Sequence, residues 1–148
     1  MRQRGFTLVE ILVVVAIIGL AMAVVAGAMG MSLTGQQVRG ASRDLVASLR
    51  YTRGQAIVKR EPQVLLFNLD ERSYRAPGRS PIELPDKFEI AVETARQEML
   101  ASGEVGIRFY PDGSSTGGNV EISRGDVVWR IDINWLTGEV NLREPGKR

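Results

Sequence analysis

Ile11 to Met31 is an unbroken run of 21 residues without one polar side chain. At ~1.5 Å rise per residue, a helix of that length spans about 32 Å, enough for a hydrocarbon core of ~30 Å. From Ser32 to about Arg60 the pattern turns amphipathic. Val38, Ala41, Leu45, Leu49, Thr52 and Ala56 step by three or four positions and make one stripe. Arg39, Arg43, Arg50 and Arg53 lie mostly off it and are expected on a solvated face. The spacing predicts the outer half of one long helix, its stripe packed on a sheet and its end set by Glu61-Pro62.

Beyond Pro62 the period falls to two. Gln63 to Leu69, Phe88 to Thr94, Val105 to Tyr110, Val120 to Ser123, Val127 to Trp135 and Glu139 to Arg143 are predicted strands. The clearest alternation sets Trp129, Ile131, Ile133 and Trp135 against Arg130, Asp132 and Asn134, which predicts an antiparallel sheet covered on one face, both tryptophans on the core side. Arg124-Gly125-Asp126 and Thr137-Gly138 are expected hairpin turns, and Pro77 to Pro85 an expected loop. Residues 95 to 104 fit either a short helix or a loop. The pattern as a whole is α+β, a long N-terminal helix on antiparallel strands.

Composition narrows the chemistry. The chain has no cysteine and no histidine, so thiolate catalysis, disulfides and imidazole ligands are excluded. Lysine and carboxylates remain, in no catalytic constellation, and an enzyme is not expected. Taking Arg2 and Arg4 away from the 19 basic residues leaves 17, equal to the 17 acidic ones. Such a neutral body argues against nucleic-acid binding, which wants a basic face.

Three readings compete for the first 31 residues: a transmembrane helix, a secretory signal cut at Ala21-Met22-Ala23 or Ala26-Gly27-Ala28, and a short leader cut just before the apolar run. Glu10 bears on the choice. A carboxylate in a membrane helix costs roughly 2.5–3.5 kcal/mol at the bilayer centre and less near an end, so it needs a partner. If the chain is cut after Gly5, Phe6 carries a free amine at the helix start, and Glu10 stands four residues on, on the same face. It can then neutralise that amine or a neighbouring copy's, which matters most in low dielectric.

Arg4-Gly5-Phe6-Thr7-Leu8-Val9-Glu10-Ile11-Leu12, followed by the apolar run, resembles the class III signal of type IV pilins and pseudopilins. The resemblance implies cleavage by a prepilin peptidase after Gly5, N-methylation of Phe6, and Glu10 as the assembly residue. It implies a leader over 1–5, a transmembrane helix over 6–31 and a periplasmic pilin-like domain over 32–148, single-pass in the bacterial inner membrane. Major pilins often carry a proline in the second half of this helix, where Gly27 and Gly30 stand here. Farther on, Phe109-Tyr110-Pro111-Asp112-Gly113-Ser114-Ser115-Thr116-Gly117-Gly118, Trp129-Arg130-Ile131 and Trp135-Leu136-Thr137-Gly138 resemble the H-type minor pseudopilins of type II secretion, as do Leu49-Arg50-Tyr51 and Gln55-Ala56-Ile57. About 70 to 104 matches poorly. The implied role is a structural subunit at or near the pseudopilus tip, helping assemble the filament that drives protein export across the outer membrane. The implied partners are other major and minor pseudopilins, a prepilin peptidase/N-methyltransferase, the inner-membrane assembly platform and the lipid bilayer. No cofactor is implied. The alternative is a minor pilin of a type IV pilus, serving pilus assembly or DNA uptake.

Other segments invite chemistry but read better as structure. Pro111 to Gly118 is glycine-rich, yet it lacks the lysine and hydroxyl pair of a phosphate loop and is expected to be a turn. Asp70, Glu71 and Asp112 have no calcium-loop spacing and are expected as surface acids. Arg143, Lys147 and Arg148 form a small basic tail, expected to be a solvated end.

Overall fold

The computed structural model describes residues 7–94 and 104–143, excepting the side chains of 24–33. One helix, α1 (Leu8–Lys59), precedes eight strands. Thr7 caps its start: the Glu10 amide donates to Thr7 Oγ1 at 3.2 Å, satisfying an orphan donor of the first turn. At the other end Arg60 adopts φ 57°, the left-handed conformation that closes a helix, and Glu61-Pro62 follows.

The chain divides into two compact units, Met1–Gly35 and Gln36–Arg148. In the first, the described side chains from Leu8 to Ala23 are exposed all round, including Leu8, Val9, Leu12, Ile17, Ile18 and Leu20. A helix apolar on every side needs a lipid or protein environment to cover it. Among the described residues no helix is long and apolar enough to cross a membrane. The run foreseen as a span continues over 24–31, whose side chains lie outside the described residues.

The second unit has its own core. Val38, Leu45, Leu49, Thr52 and Ala56 are fully buried, with Ala41 packed against them, so the helical stripe lies where its period put it. Two buried hydroxyls on this face are satisfied locally: Ser42 donates to the Val38 carbonyl and Thr52 to the Ser48 carbonyl, each at 2.8 Å. Burial thus costs no unpaired polar group on the stripe.

Two four-stranded antiparallel sheets complete the unit. One has the order β3 (Ile82–Glu83), β2 (Ser73–Arg75), β1 (Gln63–Asn68), β5 (Glu104–Phe109). The other has the order β4 (Glu89–Glu93), β6 (Gly118–Arg124), β7 (Val127–Ile133), β8 (Val140–Arg143). Leu65, Phe67, Ile107 and Phe109 from the first sheet share one core with Val120, Ile122, Trp129, Ile131 and Val140 from the second. The hairpin β6–β7 pairs Arg124 with Val127, leaving a two-residue loop whose first residue, Gly125, has φ 58°. That is the glycine position of a II′ turn.

Two features depart from the sequence reading. The short strands β2 and β3 are additional, and β3 falls inside the expected Pro77–Pro85 loop. Trp135 is 67% exposed, not core: β7 ends at Ile133, and the alternation that buries Trp129 does not continue into the turn. The segment 95–104 lies outside the described residues except for Glu104, which opens β5.

Candidate assembly surfaces

Glu10 is the acid in the first turn of α1, where a carboxylate complements the helix dipole. Thr7-Leu8-Val9-Glu10 has the spacing of a capping box, a signal present in the sequence that pattern reading passed over. Gly5 and Phe6 lie outside the described residues. The geometry therefore sets Glu10 on an exposed first turn, surrounded by apolar side chains, at the start of the helix.

Three of the helical arginines, Arg39, Arg50 and Arg53, are anchored rather than only solvated. Arg50 donates Nη2–H to the Val140 carbonyl at 2.9 Å, and Arg53 donates Nε–H to the Gly113 carbonyl at 3.0 Å. Arg39 lies 5.7 Å from the centre of the Trp129 ring. These contacts bind the helix to the C-terminal half of the fold across 60 to 90 residues of chain, which periodicity cannot foresee.

Pro111–Gly118 is a built turn. The Asp112 carboxylate accepts from the Ser114 amide at 2.9 Å and from its hydroxyl at 2.6 Å, and these bonds hold its pKa below the usual carboxylate value. Ser115 donates its amide to the Trp135 carbonyl at 2.9 Å and its hydroxyl to the Asn134 carbonyl at 3.0 Å. The turn's polar groups are thus spent on the protein itself. Asp70 and Glu71 sit in the exposed turn after β1, closed by the Glu71 amide donating to Asn68 Oδ1 at 3.0 Å. Among the described residues no cluster of acids could hold a metal ion.

On the solvent face of the second sheet, Asp132 receives hydrogen bonds from Arg130 and Arg143. Burial would raise the Asp132 pKa, but the two guanidinium partners outweigh it and hold the carboxyl below its ordinary value. Arg143 is therefore a cross-strand partner. Lys147 and Arg148 lie outside the described residues.

A single helix leading into a two-sheet antiparallel body is a pilin-like subunit. The minor pseudopilin EpsH of the Vibrio cholerae type II secretion system superposes with a TM-score of 0.60, covering 75% of this chain and 99% of that one at 14% identity. The type IV minor pilin FimU of Pseudomonas aeruginosa gives 0.54, covering 75% and 93% at 15% identity. At such identities the likeness concerns fold alone and does not separate secretion from pilus. Sequence separates them. The prokaryotic N-terminal methylation motif matches residues 1–26, and the type II transport protein GspH family matches residues 41–138. Type II secretion system protein H of Xanthomonas campestris pv. campestris is 39% identical over 145 residues, 96% of this chain and 86% of that protein. The chain belongs to the type II transport protein GspH family, the H-type minor pseudopilins of type II secretion. The type IV pilus alternative is not favoured.

Proposed function

We propose that the chain is made as a prepilin, cut after Gly5 and methylated on Phe6, and that Glu10 is the residue through which it joins a filament of major and minor pseudopilins. The observation that carries this reading is the Thr7-capped start of α1, with Glu10 in the first turn and every other described side chain from Leu8 to Ala23 apolar and exposed. A carboxylate there has two uses. It complements the helix dipole of its own chain, and it offers a counter-charge to an N-terminal amine one turn away or on a neighbour. Filament joining is then electrostatically selective, because an unpaired Glu10 in lipid is penalised far more than a paired one.

The subunit sits in the inner membrane through residues 6–31, with its 32–148 body in the periplasm, at or near the tip of the pseudopilus. It works by assembly with other pseudopilins and the inner-membrane platform, after processing by a prepilin peptidase/N-methyltransferase, and not by catalysis. The matching methylation motif over 1–26 supports the processing step. The balance of 17 basic and 17 acidic residues after removal of Arg2 and Arg4 supports a protein partner over nucleic acid.

Mass spectrometry of the N-terminal peptide from the membrane fraction tests the processing. The expected peptide begins at methylated Phe6, and a mature terminus after Ala23 or Ala28 would sink the reading. Deletion of the gene is expected to block export of a folded protein. Normal export would count against the secretion role.

A further inference from the structure

A groove of about 560 Å³ lies between the 37–44 stretch of α1 and the 82–88 segment. Its lining is mostly apolar: Tyr74, Leu84 and Phe88 are buried, Ala41 is half-buried and Ile82 is exposed. Its size is in the range of pockets that hold a buried group. The sheet-side wall is pinned by backbone bonds. Ser73 and Tyr74 pair with Glu83 and Ile82, the Leu84 amide donates to the Arg72 carbonyl at 2.9 Å, and the Phe88 amide donates to the Pro85 carbonyl at 3.2 Å. A preformed wall has little ordering left to lose on binding. On the helical wall, a Cβ built on Gly40 would meet nothing within 4 Å, so space stands open against bare helix backbone.

Asp44, Glu83, Asp86 and Arg124 are the charged residues that line the groove. Two of them are already engaged. Asp86 stands 3.8 Å from Arg72, and Arg124 donates to Gln37 Oε1 with its guanidinium 5.6 Å from the centre of the Phe88 ring. Asp44 and Glu83 are different. Both are exposed, and among the described residues neither has a hydrogen-bond or ion-pair partner. One belongs to α1 and the other to β3, so each wall brings a free carboxylate. An apolar slot between two such carboxylates suits a segment that sets a large apolar side chain beside a lysine or arginine. A long cationic side chain lays its methylenes on apolar surface and leaves its head group for the acids. An acidic segment would be repelled, and a purely apolar one would crowd both carboxylates without pairing them.

We infer that this groove docks an apolar segment carrying a lysine or arginine, supplied by a different pilin-like subunit, with Asp44 and Glu83 receiving the cation. The inference rests on the filament-joining reading above and adds to it a contact of the body, separate from that of Glu10. A contact with a different chain ends at that chain and does not propagate, as a minor subunit near the tip requires.

Photo-crosslinking from the groove tests it. The photoreactive amino acid p-benzoylphenylalanine replaces Asp86, whose side chain is almost wholly exposed, in the full chain expressed together with the complete set of pseudopilins. A second probe at the exposed Val13 in the stem reports whether the chain has joined the filament. Crosslinked peptides from the membrane fraction are identified by mass spectrometry. The Asp86 probe is expected to capture a different pilin-like subunit, at a residue next to a lysine or arginine. Asp44→Asn combined with Glu83→Gln is expected to cut that yield about five-fold. Gly40→Leu fills the groove and is expected to cut it at least about ten-fold, while the thermal midpoint of the body holds or rises because leucine is the better helix former. Neither change is expected to alter the Val13 product. A Val13 product without an Asp86 product would overturn the inference and leave the filament reading standing. Capture of a second copy only, of a secreted protein only, or of a segment without a cation would overturn it too, as would a yield indifferent to the two carboxylates or to Gly40→Leu. Loss of both probes' products would overturn the filament reading and this inference with it.

Discussion

The Arg53 guanidinium donates to the Gly113 carbonyl at 3.0 Å, and the same carbonyl lies where a side chain on Gly138 would go, 2.1 Å from an ideal Cβ. Helix, glycine-rich turn and β7–β8 turn thus meet at one carbonyl oxygen. Gly138 also has φ 62°, a conformation costly to any residue with a Cβ. Gly138→Ala is therefore expected to destabilise the body by about 1–3 kcal/mol from the backbone alone, with the clash adding to it. Arg53→Ala removes one partly buried bond and should cost only about 1–2 kcal/mol. Thermal melts of the two variants check the ranking, and an Arg53→Ala variant less stable than Gly138→Ala would contradict this account of the junction.

Glu10 makes no contribution to the body's core, since it lies in the other compact unit. Glu10→Ala should leave the melting of the body unchanged and still reach the membrane. Crosslinks to other pseudopilins are expected to fall at least several-fold, because the N-terminal amine loses its counter-charge. Undiminished crosslinking in the variant would remove Glu10 from the assembly mechanism.

Tyr74 is 2% exposed on β2. Burial pushes its pKa up; a hydrogen bond with Ser48 partly opposes this, and the negative charge of Asp44 adds to the rise. The unfolded phenol titrates near ~10. With the folded pKa above that value, the stability that comes from keeping Tyr74 neutral is complete below about pH 10 and is lost as pH rises through the folded pKa. Denaturant midpoints measured from pH 8 to 11 should fall at the alkaline end. Tyr74→Phe should flatten that fall while changing stability at pH 7 by only about 1 kcal/mol. An alkaline limb unchanged in the variant would assign it to other groups.

How much of this was legible depended on the range of the forces involved. The stripe from Val38 to Ala56 follows from a local period and lies buried as expected. So do β5, β6 and β7, expected at Val105–Tyr110, Val120–Ser123 and Val127–Trp135 and found within two residues of those bounds. The strands β2 and β3 were not legible, because three and two residues carry too little alternation and charges or prolines flank them. Their order comes from pairing: Leu66 to Asn68 of β1 lie opposite Arg75 to Ser73, and Ser73 and Tyr74 in turn face Glu83 and Ile82. The anchoring of Arg50 and Arg53 is a long-range result of the same kind. Trp135 was misplaced for a sharper reason: the alternation was extended two residues past the end of β7, into a turn where Asn134 redirects the chain.

The contrast between the two tryptophans makes the independent folding of the body measurable. Trp129 is 8% exposed in the core, and its indole Nε1 is buried without a hydrogen-bond partner, whereas Trp135 faces solvent. The Gln36–Arg148 unit holds the residues of this core, so a chain starting near Ser32 should be soluble and unfold cooperatively without the apolar stem. Its fluorescence should be two-component, one quenched by iodide and one protected. Trp135→Phe should leave only the protected, blue-shifted component, and Trp129→Phe only the accessible one, with a loss of stability because a core position is repacked. On addition of denaturant the protected component should become accessible in a single transition coincident with loss of circular dichroism. Iodide quenching both residues equally in the native body, or Trp129 becoming accessible before the secondary structure is lost, would mean that helix and sheets do not share one cooperative core.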